Sequence, residues 1–429
     1  MAHENTQRGQ PVAPMKILFV TDVFPPFSGM GGSGWSTYHL ARGLRERGHD
    51  TRVVVAAPAL GLVETVYDGF PVWRSATTTR ILPAASLNVL PLASGRVLRS
   101  LRRQWRPDVI HAQHVLSALV VARTARDTPY VVTVRDHWPV CFYGTKLADV
   151  PCPACLHGTR SPCNPRRGSE DAGRVAHTAK AAAMRAMLAQ RRQALRGAAA
   201  VVAVSGAIAA EIAPIVGTTP NGRVHVIPNG IVPVTPDAPL ALNLPPRYFL
   251  YVGKLAAHKG ADRLPAIIAA LPADAPPILL CGDGPEEAAL RAADPTGTRL
   301  RLLGIVPNGD VLALMAGAVA LVSPNRWDEP LSRTHLEAMS VGCPIVATDT
   351  GGTADAVENG VTGFLVPRDD TAALTARLAR LASDDALRTR MGDAARAACE
   401  RKFGMAHVAA AMEALYTSMH ASMARGGQR

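Results

Sequence analysis

The chain has 429 residues, of which 48 % are apolar and 19 % charged, a globular composition with room for more than one core that excludes a disordered chain. Its longest uncharged apolar run, residues 197–210, falls short of the roughly 20 residues a spanning helix needs, and the first residues lack the basic-then-apolar pattern of a secretory signal. The net charge of +12 is confined to one half: residues 1–229 carry +14, with 27 Lys/Arg against 13 Asp/Glu, and residues 230–429 carry −2, with 19 against 21.

Such asymmetry points to an anionic partner for the first half: nucleic acid, a phospholipid surface or an acidic substrate. In chain order, Lys16–Thr21 (KILFVT) reads as a strand. A turn holding Gly29, Gly31, Gly32 and Gly34 follows, then a helix from about Ser36 to Arg47. Glycines there let a phosphate approach the backbone and the free N–H groups of the helix start; a plain surface turn fits the spacing equally well. Short β-branched runs follow at Arg52–Ala56, Val109–His111, Tyr130–Val134 and Ala200–Val204. Residues 228–246 hold six prolines in nineteen residues, which suits a linker outside either sheet.

The second half restarts the same grammar at Tyr248–Val252 (YFLYV). It continues through Ile278–Cys281, Arg301–Leu303, Val319–Ser323, Pro344–Ala347 and Gly363–Val366. Strands alternating with helices predict an α/β fold of two Rossmann-like, doubly wound domains with a cleft between them. Ligands bind at the carboxyl ends of strands in such sheets. The expected units are residues 1–229, residues 230–400, and a helix over residues 401–429 packing back toward the first domain.

Four stretches carry chemistry. In GKLAAHKG, Lys254 and Lys259 follow a strand directly, where two ammonium groups suit a diphosphate, although solvated loop lysines explain them too. In DEPLSRTHLEAMS, Glu329 and Glu337 lie eight residues apart. If helical, that spacing is about 12 Å along the axis, more than the roughly 5–9.5 Å of a glycosidase carboxylate pair. The two would hold different ends of one elongated ligand, or be solvated. Cys141, Cys152, Cys155 and Cys163 fall in the Pro/Gly-rich loop 137–170, with His157 as a spare ligand. They either bind a structural zinc tetrahedrally or stay reduced thiols. Cys281, Cys343 and Cys399 are isolated, and such cysteine usage reads as cytosolic. Along residues 96–106, Arg96, Arg99, Arg103 and Arg106 share one helical face, and Leu98, Leu101 and Trp105 another. That pattern fits a helix on an anionic membrane or an ordinary domain helix.

Taken together, these segments resemble the retaining, nucleotide-sugar-dependent glycosyltransferases of family 4, also called group 1, which have the GT-B fold. The resemblance runs over nearly the whole chain, through LARGLRERGHD, VVTVRD, AVVAVS, VIPNGI, LCGDGPE, LLGIVPN and GGTADAVENGVTGFLVP. It implies that Gly31, Gly32 and Gly253 flank the donor, with the Gly32 N–H on its phosphates. Lys254 and Lys259 match the pair that neutralises the diphosphate. Val306 would contact the base through its backbone, and Glu337 would take the ribose hydroxyls. Glu329, with the backbone of Leu331 and Ser332, would hold the donor sugar. The family needs no metal for transfer, and the chain has no D-x-D motif.

Two departures matter. Arg135 stands where the family has a His that touches the sugar, with His137 two residues on as a substitute; Lys254 stands where Arg is usual. The implied activity is sugar transfer to an anionic or lipid-linked glycan acceptor in cell-envelope synthesis, in the cytoplasm and in peripheral contact with the membrane. A small soluble acceptor is the alternative. A basic nucleic-acid-binding protein is the reading from another class, and the absence of any such module, with only 5 % aromatic residues, weighs against it.

Overall fold

The structure, a computed structural model, describes residues 13–27, 32–56, 62–75, 92–125, 127–142, 144, 146, 174–217, 222–232 and 243–426. Two α/β units follow one another. The first is an eight-stranded sheet of β1 (Lys16–Thr21), β2 (Asp50–Ala56), β3 (Leu62–Tyr67), β4 (Phe70–Ser75), β5 (Val109–Ala112), β6 (Tyr130–Val134), β7 (Ala200–Ala203) and β8 (Val224–Val226). Their order is β3-β4-β2-β1-β5-β6-β7-β8, parallel except for the β3–β4 pair. The helices are α1 (Gly32–Glu46), α2 (Leu92–Trp105), α3 (Val115–Thr124), α4 (Arg174–Arg196) and α5 (Gly206–Val216). Strands β5, β6 and β7 are buried along their whole length, as expected of parallel strands covered on both faces.

The second unit is a wholly parallel six-stranded sheet. It comprises β9 (Phe249–Val252), β10 (Ile278–Cys281), β11 (Leu300–Gly304), β12 (Ala320–Ser323), β13 (Ile345–Thr348) and β14 (Gly363–Val366). Its order is β11-β10-β9-β12-β13-β14, the doubly wound order that reverses between β9 and β12. The helices are α6 (Leu264–Ala270), α7 (Glu287–Ala293), α8 (Asn308–Gly317), α9 (Arg333–Ser340), α10 (Thr353–Ala356), α11 (Thr371–Ser383), α12 (Asp385–Phe403) and α13 (Met405–Gly426).

Two details depart from the sequence expectation, and a third decides between the two readings of one helix. Helix α1 starts at Gly32, not near Ser36. The Ser36 and Thr37 hydroxyls donate back to the carbonyls of Gly32 and Ser33 at 2.9 and 3.1 Å, bonds made inside a helix and not at its start. The β3–β4 hairpin, which apolar runs do not reveal, turns on Asp68-Gly69, both at positive φ, the favoured dipeptide for a two-residue hairpin loop. Helix α2 places Leu98, Leu101 and Trp105 in the core, so its apolar face is taken up by the sheet and is not free for lipid. Arg102 donates to the carbonyl of Ala125 at 2.9 Å, while Arg99, Arg103 and Arg106 stay exposed.

Helix α13 leaves the second unit and lies on the first. The chain breaks at Gly404, where Ile231 donates to Phe403 at 2.8 Å and accepts from Met405 at 3.2 Å. From there Val408, Met412, Leu415, Tyr416 and Met419 enter one apolar cluster with Ile17, Phe19, Leu44 and Val131. The Tyr416 hydroxyl meets His111 Nδ1 at 2.6 Å in the interior. Glu413 takes His49 Nε2 at 2.8 Å and pairs with Arg47. No described helix is long and apolar enough to cross a membrane.

Candidate active site

Both sheets present their carboxyl ends, and their points of strand reversal, to the same cleft. On the second unit, β9 runs into the loop holding Gly253, Lys254 and Lys259, and β12 into the loop holding Asn325 to Ser332. Gly260 lets these loops meet. It has φ of +73°, and a Cβ there would lie 1.9 Å from the carbonyl oxygen of Pro324. Left-handed backbone costs a non-glycine residue about 1–2 kcal/mol, and the clash adds about 1–3 kcal/mol. Gly260→Ala should therefore lower the thermal midpoint by several degrees in a calorimetric scan; an unchanged midpoint would contradict this tight apposition.

The ammonium of Lys259 donates to Glu329 Oε2 at 2.6 Å and lies 4.3 Å from the Trp327 ring centroid. The same carboxylate oxygen accepts from Trp327 Nε1 at 3.0 Å and Asn325 Nδ2 at 3.4 Å. Lys259, Glu329 and Asn325, with Gly253, Ser323 and Ser332, line a cavity of about 50 Å³. His335 closes it from behind: Nε2 meets Ser323 Oγ at 2.8 Å, and burial pushes the imidazole down to about 4. Lys254 extends into solvent from the same loop, near enough to His258 to help depress that ring.

One helix turn pair further on, Glu337 is buried inside α9. Its Oε1 accepts from Arg333 Nε at 3.0 Å and Asn308 Nδ2 at 3.3 Å. Val306 is half-buried in the loop that leads to Asn308, and Leu331 is buried just before α9. Glu329 thus stands before the helix and Glu337 within it. A ligand spanning both would meet Lys259 at one end and the Glu337 carboxylate at the other.

The first unit faces this arrangement with the N-terminus of α1. A Cβ on Gly32 would sit 3.1 Å from Arg333 Cδ, so the starts of α1 and α9 converge across the cleft with their N–H groups toward it. Gly31 lies outside the described residues. Arg135 turns away from the Lys259 cavity: its Nε bonds Asn229 Oδ1 at 3.1 Å and its Nη1 the Gln113 carbonyl at 3.0 Å, and burial lowers its guanidinium to about 10. Asp22 caps α3 through the N–H groups of Leu116 and Ser117, at 3.0 and 2.8 Å. Burial nonetheless raises its carboxyl to about 6. His137 sits between the domains, with Nδ1 on Glu211 at 2.9 Å and Nε2 on the Asp328 carbonyl at 2.7 Å.

Of the candidate zinc ligands, Cys152, Cys155 and Cys163, with His157, lie outside the described residues. Cys141 is buried, and its Sγ accepts from the Lys146 N–H at 3.4 Å. Among the described residues no cluster of His, Cys, Asp or Glu is arranged to hold a metal ion.

The structure also brings in residues that motif spacing passes over. Arg333 was legible as the residue four before Glu337, a helical pairing distance. Asn308, Trp327, Glu211 and Lys146 had no such signal, because each reaches the site from a separate loop or helix.

The sequence matches two family models, Glycosyltransferase Family 4 over residues 30–234 and Glycosyl transferases group 1 over residues 237–398. It is similar to a glycogen synthase of Mycobacterium tuberculosis, 28 % identical over 94 % of each chain. It is also similar to a phosphatidyl-myo-inositol mannosyltransferase of Mycobacterium leprae, 32 % identical over 38 % of this chain and 42 % of the other. Among solved structures, a sucrose-phosphate synthase from Thermosynechococcus elongatus superposes with a TM-score of 0.73 at 20 % identity, over 95 % of this chain and 100 % of that one. Anabaena HepE, solved with UDP-glucose, superposes with a TM-score of 0.64 at 20 % identity, over 94 % and 100 %.

Proposed function

The chain belongs to the group 1 glycosyltransferases, family 4, with the GT-B fold and a nucleotide-sugar donor, and on that premise we propose that it transfers a sugar, with net retention at the anomeric carbon, to an anionic or lipid-linked glycan acceptor. The observation that carries this reading is the placement of Lys259, Glu329 and Glu337 around the β9/β12 reversal, opposite the N-terminus of α1. The nucleoside diphosphate spans the cleft. Glu337 takes its ribose diol, released from Arg333, while Arg333 and the N–H groups at Gly32 lie beside the phosphates. Val306 meets the base through its backbone. Glu329, Leu331 and Ser332 hold the sugar.

Bond breaking places growing negative charge on the leaving diphosphate. Lys259 and the exposed Lys254 stabilise that charge together with the preorganised N–H groups. This division of labour asks no metal of the transfer step. The cysteine loop is separate from it; zinc content of the purified protein, measured with and without Cys152→Ser, decides between a structural metal and free thiols.

The test of the activity is a screen of UDP-, GDP- and ADP-sugars for hydrolysis and transfer, with the product's anomeric configuration read by NMR. Turnover with none of them, or inversion, would overturn the reading, as would duplex DNA binding tighter than the nucleoside diphosphates.

The acceptor falls to the first domain, which carries +14. Relatives named for glycogen and for a phosphatidylinositol acceptor support a glycan or lipid-linked one. Because the apolar face of α2 is buried, membrane contact would be electrostatic, through Arg99, Arg103 and Arg106. Near an anionic bilayer each basic residue contributes up to about 1 kcal/mol, screened by salt. Changing all three to Ser should weaken binding to anionic vesicles at low salt by about 5- to 30-fold, the effect of about 1–2 kcal/mol, and leave neutral vesicles unaffected. Equal binding by both proteins favours a soluble acceptor in a cytoplasmic pathway.

A further inference from the structure

His137 was a candidate for chemistry, yet neither of its ring nitrogens points at the Lys259 cavity. Both are engaged, and by acceptors alone. Nδ1 lies 2.9 and 3.1 Å from the two carboxylate oxygens of Glu211 on α5, and Nε2 lies 2.7 Å from the carbonyl oxygen of Asp328 in the second domain. A carbonyl oxygen carries no proton. Glu211 carries none either: burial works to raise its carboxyl, but the bonds from His137 and Lys146 hold it below the ordinary range. A neutral imidazole has one N–H and would set a lone pair against one of these oxygens. Only the doubly protonated ring satisfies both.

Two further cations share the carboxylates around that ring, and Lys146 opposes its charge. From the loop after β6, Lys146 bridges Glu211 Oε2 at 2.9 Å and Asp328 Oδ2 at 3.0 Å. From beyond β14, Arg368 holds Asp328 Oδ1 at 2.5 Å. Asp136 lies beside the ring in the chain, its carboxyl raised by burial and its Oδ1 bonded to the Trp138 N–H at 2.8 Å. On the other side the ring meets Trp327 edge-on at 6.3 Å. Trp327 in turn donates to Glu329 and supports Lys259. Asp328 lies between these two residues in sequence.

We propose that His137 is a positioning residue which, as an imidazolium, clasps the Asp328 carbonyl of the donor domain to Glu211 of the acceptor domain and so sets the loop that aims Glu329, making closure of the cleft proton-linked. This deepens the glycosyl-transfer reading and rests on it only for the effect on turnover. Burial opposes the charge on His137, but Glu211 and the Asp328 carbonyl outweigh it and raise the ring above its ordinary 6.5. The sign follows: the clasp is complete below pH 6.5 and is lost as the pH rises through the raised folded-state value. Alkaline pH therefore loosens the cleft.

The test combines two measurements. The ring ¹⁵N shifts of histidine-labelled protein report the protonation of His137 independently of any turnover, and kcat is followed against pH at saturating nucleotide sugar. In the wild type both ring nitrogens should carry protons at neutral pH, and kcat should fall along the same titration. Glu211→Gln keeps an acceptor for Nδ1 but removes the carboxylate. It should lower both midpoints together by about one unit, and so kcat by about 10-fold above them, with little change at acid pH. His137→Asn, which can donate at one site only, should lose the pH dependence altogether and lower kcat more than it raises KM. Should Glu211→Gln fail to fold, Lys146→Met provides the same comparison with the opposite sign on the midpoint. A wild-type ring with one bare nitrogen at neutral pH, or a midpoint indifferent to Glu211 and Lys146, would overturn the proposal. A protonated ring in a protein that turns over no nucleotide sugar would leave the clasp standing and sink the transferase reading instead.

Discussion

Lys259→Ala should lower kcat by about 10²- to 10³-fold, the range for losing one preorganised partner of charge that develops in the transition state. The donor's KM should change less, since much of that charge appears only as the bond breaks. The same change has a cost in the folded state. Lys259 is the cation on Glu329, a carboxylate whose side chain is only 8 % exposed, and stripping one partner from such a pair costs about 3–5 kcal/mol. Stability and catalysis separate in the double variant Lys259→Ala with Glu329→Gln, which should regain much of the thermal midpoint but none of the turnover. Lys254, exposed and without that partner, should show a smaller loss of kcat and no loss of stability. A Lys259→Ala enzyme with wild-type kcat would contradict the assignment outright.

Glu337→Ala should weaken nucleotide binding by about 10- to 150-fold, equivalent to losing a hydrogen bond to a charged group at about 1.5–3 kcal/mol. Calorimetric titration with the nucleoside diphosphate reads this directly, and the loss should persist with the nucleoside alone because the contact proposed for Glu337 is to the diol. Glu337→Gln should fall between, keeping one acceptor while releasing Arg333 Nε and Asn308 Nδ2, both of which now meet Oε1. Undiminished affinity for the nucleoside in either variant would rule out the ribose role.

Legibility in the sequence tracks how local each feature is. Most strands of both sheets showed as short apolar runs because parallel strands buried on both faces cannot alternate; β3, β4 and β8 did not. Glu329 and Glu337 stood out because a helix and its preceding loop fix their spacing within nine residues. Arg135 and His137 were the hard cases. Two residues apart at the end of β6, they diverge: Arg135 folds onto Gln113 and Asn229, His137 onto Glu211 and Asp328. Nothing in the local pattern says which way a side chain leaves a strand that has ended. Those partners come from 22 to 191 residues away, so tertiary packing alone decides. The β3–β4 hairpin was not read from the sequence, because its signal is the turn dipeptide Asp68-Gly69 and not an apolar run.

The return of α13 to the first domain has a consequence for how the protein is made. The helix begins 179 residues after β8 ends, from Val226 to Met405, yet it supplies Tyr416 and four other apolar side chains to the first domain's core. At about 5–20 residues per second of synthesis, that domain waits about 10–40 s with Ile17, Phe19 and Leu44 uncovered and His111 lacking one of its two partners. The second domain, whose sheet and α12 precede α13 in the chain, should fold first although it is encoded second. A released chain truncated before Met405 should accordingly show a protease-resistant second half behind a labile first half, inverting the usual N-to-C order of domain folding.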